Sequence, residues 1–227
     1  MYPALMWLGT LLLLSGSDPP PTAAFRRAVE FQDVATIRRL LEKSPTLVLV
    51  EDEHGSTALN RAVSQNNLEL VKILIEAKSD VNHDSRREGR PLGDACFYGK
   101  EKIVKLLLDA RADVNIQAEK GMPGHDVGTA LHQAAAGGHL NLVKLIVEHG
   151  GNVNAIAKAH YQVTPLHQAI SPEPGSKERA AIVRFLLEKG ANVNAKDANG
   201  WTPLRHAKEL GEEFDEIAEI LVSHRGK

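Results

Sequence analysis

Four stretches of this chain carry one pattern, and no other feature narrows the fold as far. Residues 57–82 read TALNRAVSQNNLELVKILIEAKSDVN, and residues 91–115 read PLGDACFYGKEKIVKLLLDARADVN. Residues 129–154 read TALHQAAAGGHLNLVKLIVEHGGNVN, while residues 164–194 open with TPLHQAI and close with IVRFLLEKGANVN. A further unit starts at Trp201 with WTPLRHAKEL, and a degenerate one, FRRAVEFQDVATIRRLLEK, begins at Phe25. The spacing is stricter than the wording. From the opening Leu to the closing Asn the interval is 23 residues for Leu59 to Asn82, Leu92 to Asn115 and Leu131 to Asn154, and 28 for Leu166 to Asn194. From closing Asn to the next Leu it is 10, 16, 12 and 10. A core period of about 33 residues means stacked supersecondary units rather than one folded-back core. The excess length locates insertions at residues 116–127, 155–163 and 171–177.

Each unit reads as two helices and an extended loop. Thr129 suits an N-cap, where a hydroxyl accepts a free backbone N–H. Pro165 and Pro203 follow Thr and fall in the first helical turn, where a missing N–H costs nothing. Leu131, Ala134 and Ala135 form a narrow face, because alanines let a neighbouring helix approach closely. After Gly137-Gly138, the residues Leu142, Val143, Leu145 and Ile146 recur at helical spacing, and Gly150 suits a left-handed C-cap. Two such helices cannot hide their apolar faces alone, so units must stack.

Thr-Pro-Leu-His, Gly-His-Leu, Val-Lys-Leu-Leu and Gly-Ala-Asn-Val-Asn-Ala together resemble the ankyrin repeat. The resemblance implies an all-α ankyrin-repeat solenoid of about six helix–turn–helix units with finger loops, spanning residues 23–227. Pro91 lacks the preceding Thr, Gly93 stands where other units carry His, and both end units are atypical. Terminal units need polar outer faces, a role that Glu212, Glu213, Asp215, Glu216 and Glu219 fit.

The N-terminus differs from all that follows. Its apolar run, residues 4–14, is shorter than the ~20 residues of a membrane-spanning helix and suits a signal peptide, with Ser15-Gly16-Ser17 as a cleavage region. The expected organisation is a signal peptide at 1–17, a Pro-rich linker at 18–22 and the repeat domain after it, in an exported protein. No Lys or Arg precedes the run, so the alternative is a cytoplasmic regulator or scaffold with a retained apolar tail. A membrane association follows only if that segment stays attached.

The 27 basic and 29 acidic residues nearly cancel. Nucleic-acid affinity rests on clustered Lys and Arg neutralising phosphates, so that partner is not expected. The single Cys96 excludes an internal disulfide and a cysteine-based zinc site. It occupies a register filled elsewhere by Val63, Ala135 and Ile170, as a buried small residue would. The resemblance assigns His132 and His167 to bonds with neighbouring loop backbone, and His139 starts a second helix. Zinc needs several ligands at one point, whereas repeats hold equivalent histidines one unit apart. Residues 93–100, GDACFYGK, have five residues between glycines and Glu101 after the Lys, so they are not a phosphate loop. The chain is therefore expected to be non-enzymatic, monomeric, without cofactor, metal or small-molecule substrate, and to bind a protein.

The resemblance also implies where. Ankyrin proteins use the exposed ends of the first helices and the finger tips as a concave surface. The helix-end pairs are Glu30 with Phe31, Ser64 with Gln65, Phe97 with Tyr98, Ala136 with Gly137, Ser171 with Pro172, and Glu209 with Leu210; finger positions include Glu53 and His54. Aromatic and Arg side chains make the usual binding hot spots. The expected partner-binding residues are Phe31, Arg86, Arg87, Phe97, Tyr98, His125, Asp126, His160, Tyr161 and Trp201. Phe97, Tyr98, Arg86 and Arg87 are expected to form the central patch, with a recess at Ala136 and Gly137.

Overall fold

The computed structural model describes residues 20–86, 88–117, 128–158, 161–170 and 178–224. Among them the architecture is all-helical, with twelve α-helices in six pairs. The pairs are α1 (Pro21–Glu30) with α2 (Val34–Lys43), α3 (Ala58–Ser64) with α4 (Leu68–Glu76), and α5 (Pro91–Phe97) with α6 (Glu101–Asp109). They continue with α7 (Ala130–Ala136) and α8 (Leu140–Glu148), α9 (Pro165–Gln168) and α10 (Arg179–Glu188), and α11 (Pro203–Leu210) and α12 (Asp215–Ser223). Helix α1 begins at Pro21, so Pro21 and Thr22 of the expected linker form its first turn. Proline at that position has no N–H to waste and a φ already suited to the helix.

First helices pack in one row, α1 on α3, α3 on α5, α5 on α7, α7 on α9 and α9 on α11; α2 on α4, α4 on α6, α8 on α10 and α10 on α12 form a second. The alanines explain the closeness of the first row. Ala62, Ala95, Ala134, Ala135, Ala169 and Ala207 are buried between helices, and Leu59, Leu92, Leu131, Leu166 and Leu204 fill the layer beside them. Cys96 is fully buried in this row, as its register predicts.

The closing asparagines couple each loop to the next. Asn82 Oδ1 accepts the Asp113 N–H, Asn115 Oδ1 the Asn152 N–H, and Asn154 Oδ1 the Asn192 N–H, at 2.9, 2.9 and 2.8 Å. The Asn115 and Asn154 amides also donate to the Gly150 and Gly190 carbonyls at 2.9 Å. An interval that returns the same side chain to each loop end is thus an interval that returns a bond between units. Second helices close with a left-handed residue, Gly150 at φ +88° as expected, yet Lys78 and Arg111 take the same conformation without glycine's freedom.

Candidate partner-binding surface

The exposed row is built from the carboxyl ends of the first helices, where the chain turns before the second helix begins. One register governs it. In the third and fifth units the residue that opens the second helix reaches back to the preceding unit's first helix: Lys100 Nζ donates to the Val63 and Ser64 carbonyls at 3.0 and 3.2 Å, and Arg179 donates to the Ala136 carbonyl at 3.4 Å. His139 Nε2 donates to the Phe97 carbonyl at 3.0 Å in the same way. Cations at helix carboxyl ends meet free carbonyls and the negative end of the helix dipole.

His132 and His167 do what the resemblance implies. His132 Nδ1 accepts the Thr129 N–H at 3.1 Å and Nε2 donates to the Val163 carbonyl at 3.2 Å; His167 bonds Thr164 N–H and the Trp201 carbonyl likewise, each at 3.2 Å. This fixes the Nε2–H tautomer. Burial holds the His132 imidazole down to about 4 and also lowers that of His167. The Thr129 hydroxyl lies 3.0 Å from Nδ1 and closes a capping box with His132, its oxygen facing the His132 backbone N–H as an N-cap does. In the second unit Asn60 performs the same task, accepting the Thr57 N–H at 3.1 Å and donating to the Gly89 carbonyl at 2.8 Å. Gly93 has no side chain to do so, and Arg90 takes over the contact to the following loop, donating from Nε to the Gln117 carbonyl at 3.0 Å while pairing with Asp84 at 3.3 Å.

The aromatics divide between core and surface. Phe25 and Phe214 are buried and Phe185 packs on the core, whereas Phe31, Tyr98 and Tyr161 stand 69%, 56% and 60% exposed. Phe97 is half-buried and meets Tyr98 edge-on with centroids 5.1 Å apart. Lys100 Nζ sits 4.7 Å from the Tyr98 ring and 2.8 Å from Asp94 Oδ2. Burial raises the Asp94 carboxyl above its ordinary value despite that cation. Arg86 is exposed but belongs to the neighbouring finger: its N–H bonds the His54 carbonyl at 3.2 Å and its guanidinium the Glu53 carbonyl at 3.4 Å. Arg87, His125, Asp126, His160, Ser171 and Pro172 lie outside the described residues.

Trp201 is only half-buried, and Arg205 lies 4.3 Å from its ring centre while His206 meets its edge at 5.3 Å. His206 bonds Asp197 at 2.9 Å. Burial works against the charged Asp197 carboxylate, but the Trp201 N–H, the His206 ring and the Asn199 N–H together keep its pKa below the ordinary value. Tyr161 heads a finger turn with Gln162, both left-handed, and its carbonyl accepts the Ala198 N–H at 2.6 Å. The recess expected at Ala136 and Gly137 is corrected: Ala136 is buried, Arg179 spans to its carbonyl, and a Cβ on Gly137 would strike the Phe97 carbonyl and His139 ring. Gly137 is small because the neighbouring unit needs the space. Sequence reasoning missed Arg90, Lys100 and Arg179; the signal for the last two was their shared register with His139.

Burial pushes the Cys96 thiol far up, out of reach of nucleophile chemistry. Among the described residues no three His, Cys, Asp or Glu side chains converge as a metal would require, and no helix is long and apolar enough to cross a membrane.

A row of stacked helix pairs, coupled through loop asparagines and displaying helix ends and fingers, defines a repeat scaffold for holding other proteins. The sequence profile described as Ankyrin repeats (3 copies) matches residues 8–85, 25–118 and 92–197. The ankyrin repeat protein YahD of Escherichia coli (strain K12) is 33% identical over 172 residues, covering 76% of this chain and 81% of its own. The crystal structure of an ankyrin repeat domain from Acinetobacter baumannii AYE superposes with a TM-score of 0.74 at 34% identity, over 88% of this chain and 96% of that one. The ankyrin repeat protein EF0377 gives 0.74 at 28%, over 88% and 97%. This chain belongs to the ankyrin-repeat family, whose fold is a protein–protein interaction module.

Proposed function

We propose that the chain is an exported, monomeric ankyrin-repeat protein that binds one partner protein along the row of first-helix ends and fingers. Residues 1–17 direct export, and the expected linker ends where Pro21 begins α1. The observation that carries the reading is Tyr98: an aromatic ring at the end of a first helix is 56% exposed, held edge-on by Phe97 and backed by Lys100. Rings of that kind anchor interfaces. Phe31 and Tyr161 extend the same exposed row towards either end. Two of the relatives named above are bacterial, which favours a bacterial source; in that setting an exported binding module would serve as an inhibitor, immunity protein or effector. The absence of Lys and Arg before the apolar run favours a second reading, a cytoplasmic regulator with the segment retained.

The test is affinity capture from envelope and secreted fractions, with the chain from Asp18 as bait beside its Phe97→Ala/Tyr98→Ala form. A protein held by the first and lost from the second supports the reading. Identical captures on both, or none, overturn it. N-terminal sequencing of the mature protein decides between the two locations.

A further inference from the structure

A groove of about 380 Å³ opens between α1, the finger at residues 50–56 and the start of α3. Its floor is apolar, with Phe25 and Val29 buried and Val50 partly so. Its rim is charged, and the charges do not match. Arg61 is committed to Glu88 at 2.9 Å, while Arg26, which donates to the neutral Glu51 carbonyl, keeps its charge. Against them stand Glu30, Asp52 and Glu53. Asp52 Oδ1 shapes the finger by accepting the His54 and Ser56 N–H groups at 2.8 and 2.9 Å, which leaves its charge unneutralised. Glu53 reaches the His54 ring at 3.5 Å, and Glu30 forms no ion pair among the described residues. Glu30 is moreover the last residue of α1, where the free carbonyls already carry partial negative charge. A carboxylate there opposes the helix that bears it. An external cation would relieve both.

An apolar floor beneath an acidic rim matches a side chain with a methylene stem and a cationic head. Resting on the interaction reading above, we infer that this groove takes an arginine or lysine side chain of the partner protein. The stem lies on Phe25 and Val29, and the head stands between Glu30 and Glu53. The contact is distinct from the aromatic pair, which belongs to the third unit rather than the first two. It gives the partner a required chemistry: a basic side chain spaced from an apolar surface that covers Tyr98.

The experiment titrates the ¹⁵N-labelled full chain with acetyl-Gly-Arg-Gly-amide and, separately, with acetyl-Gly-Glu-Gly-amide. The arginine peptide is expected to shift the Val29, Glu30, His54 and Ala58 amide resonances selectively, and the glutamate peptide to leave them in place. Glu30→Gln and Glu53→Gln each weaken the arginine peptide by about threefold, while Arg26→Gln does not weaken it. Both Gln variants melt no lower than the parent, so lost binding is not lost folding. Equal response to both peptides, response elsewhere on the surface, or no response overturns the assignment. A captured partner that depends on Phe97 and Tyr98 but is indifferent to Glu30→Gln with Glu53→Gln leaves the interaction reading standing and removes this one.

Discussion

His139 Nε2 donates to the carbonyl of Phe97 at 3.0 Å, 42 residues earlier in the chain. The bond ties the helix end that presents the aromatic pair to the unit behind it, and the neighbouring units make the same tie with Lys100 and Arg179. The position therefore requires a donor that spans one repeat, not a histidine. His139→Lys is expected to keep the stability of the parent in urea unfolding. His139→Leu, which removes this donor from the Phe97 carbonyl, is expected to lose about 1–2 kcal/mol. Equal loss in both variants would mean that the imidazole is required for its shape.

Lys100 carries more. Its ammonium is nearly buried and joins Asp94, two helix-end carbonyls and the Tyr98 ring. Lys100→Met leaves a buried carboxyl without its cation, and breaking such a pair costs about 3 kcal/mol or more. The double variant with Asp94→Asn is expected to recover part of that loss. A double variant no more stable than the single would show that the carbonyl contacts dominate.

The second-helix ends offer a test of backbone strain. A Cβ at Gly150 would meet nothing within 4 Å, so Gly150→Val is penalised by torsion alone, by about 1–2 kcal/mol. Arg111 already bears that strain at φ +64°. Arg111→Gly is expected to raise the melting temperature, by about 0.5–1 kcal/mol of stability after glycine's entropy is charged. A fall would show that the Arg111 side chain stabilises the end it strains.

Acid is expected to loosen the fourth unit first. The folded His132 has its pKa near 4 against an ordinary 6.5, so the unfolded chain binds the extra proton. Stability is then fully present above about 6.5 and falls as the pH drops towards 4, by about 3 kcal/mol in all. Asp197, whose pKa is lowered, adds a loss only below about 3.8. His132→Asn, which copies the side chain of Asn60 in the second unit, keeps both bond directions and removes the titration. Its urea midpoint is expected to vary less between pH 7 and 5 than the parent's. An unchanged slope would place the titrating group elsewhere.

Much of this architecture was legible in the residues alone. The 23-residue interval and its neighbours placed the helix pairs, the buried register of Cys96 and the left-handed Gly150, because a repeat reports its own geometry through periodicity, while the backbone-binding histidines were implied by the resemblance to the ankyrin repeat. The exposure of Phe31 and Tyr98 at first-helix ends agrees with the positions that the resemblance implied. Four features depended on tertiary contact. Gly137 is small because the His139 ring and Phe97 carbonyl occupy its Cβ space. Arg90 serves the following loop because Gly93 cannot, and Arg86 lies with the preceding finger rather than the aromatic pair. The groove over Phe25 and Val29 arises where one finger leans across another unit's helix. Local pattern determines which faces are apolar and where helices end. Which side chain crosses to a neighbouring unit, and what space it leaves, is set by the distance between units, and that distance exists only once they stack.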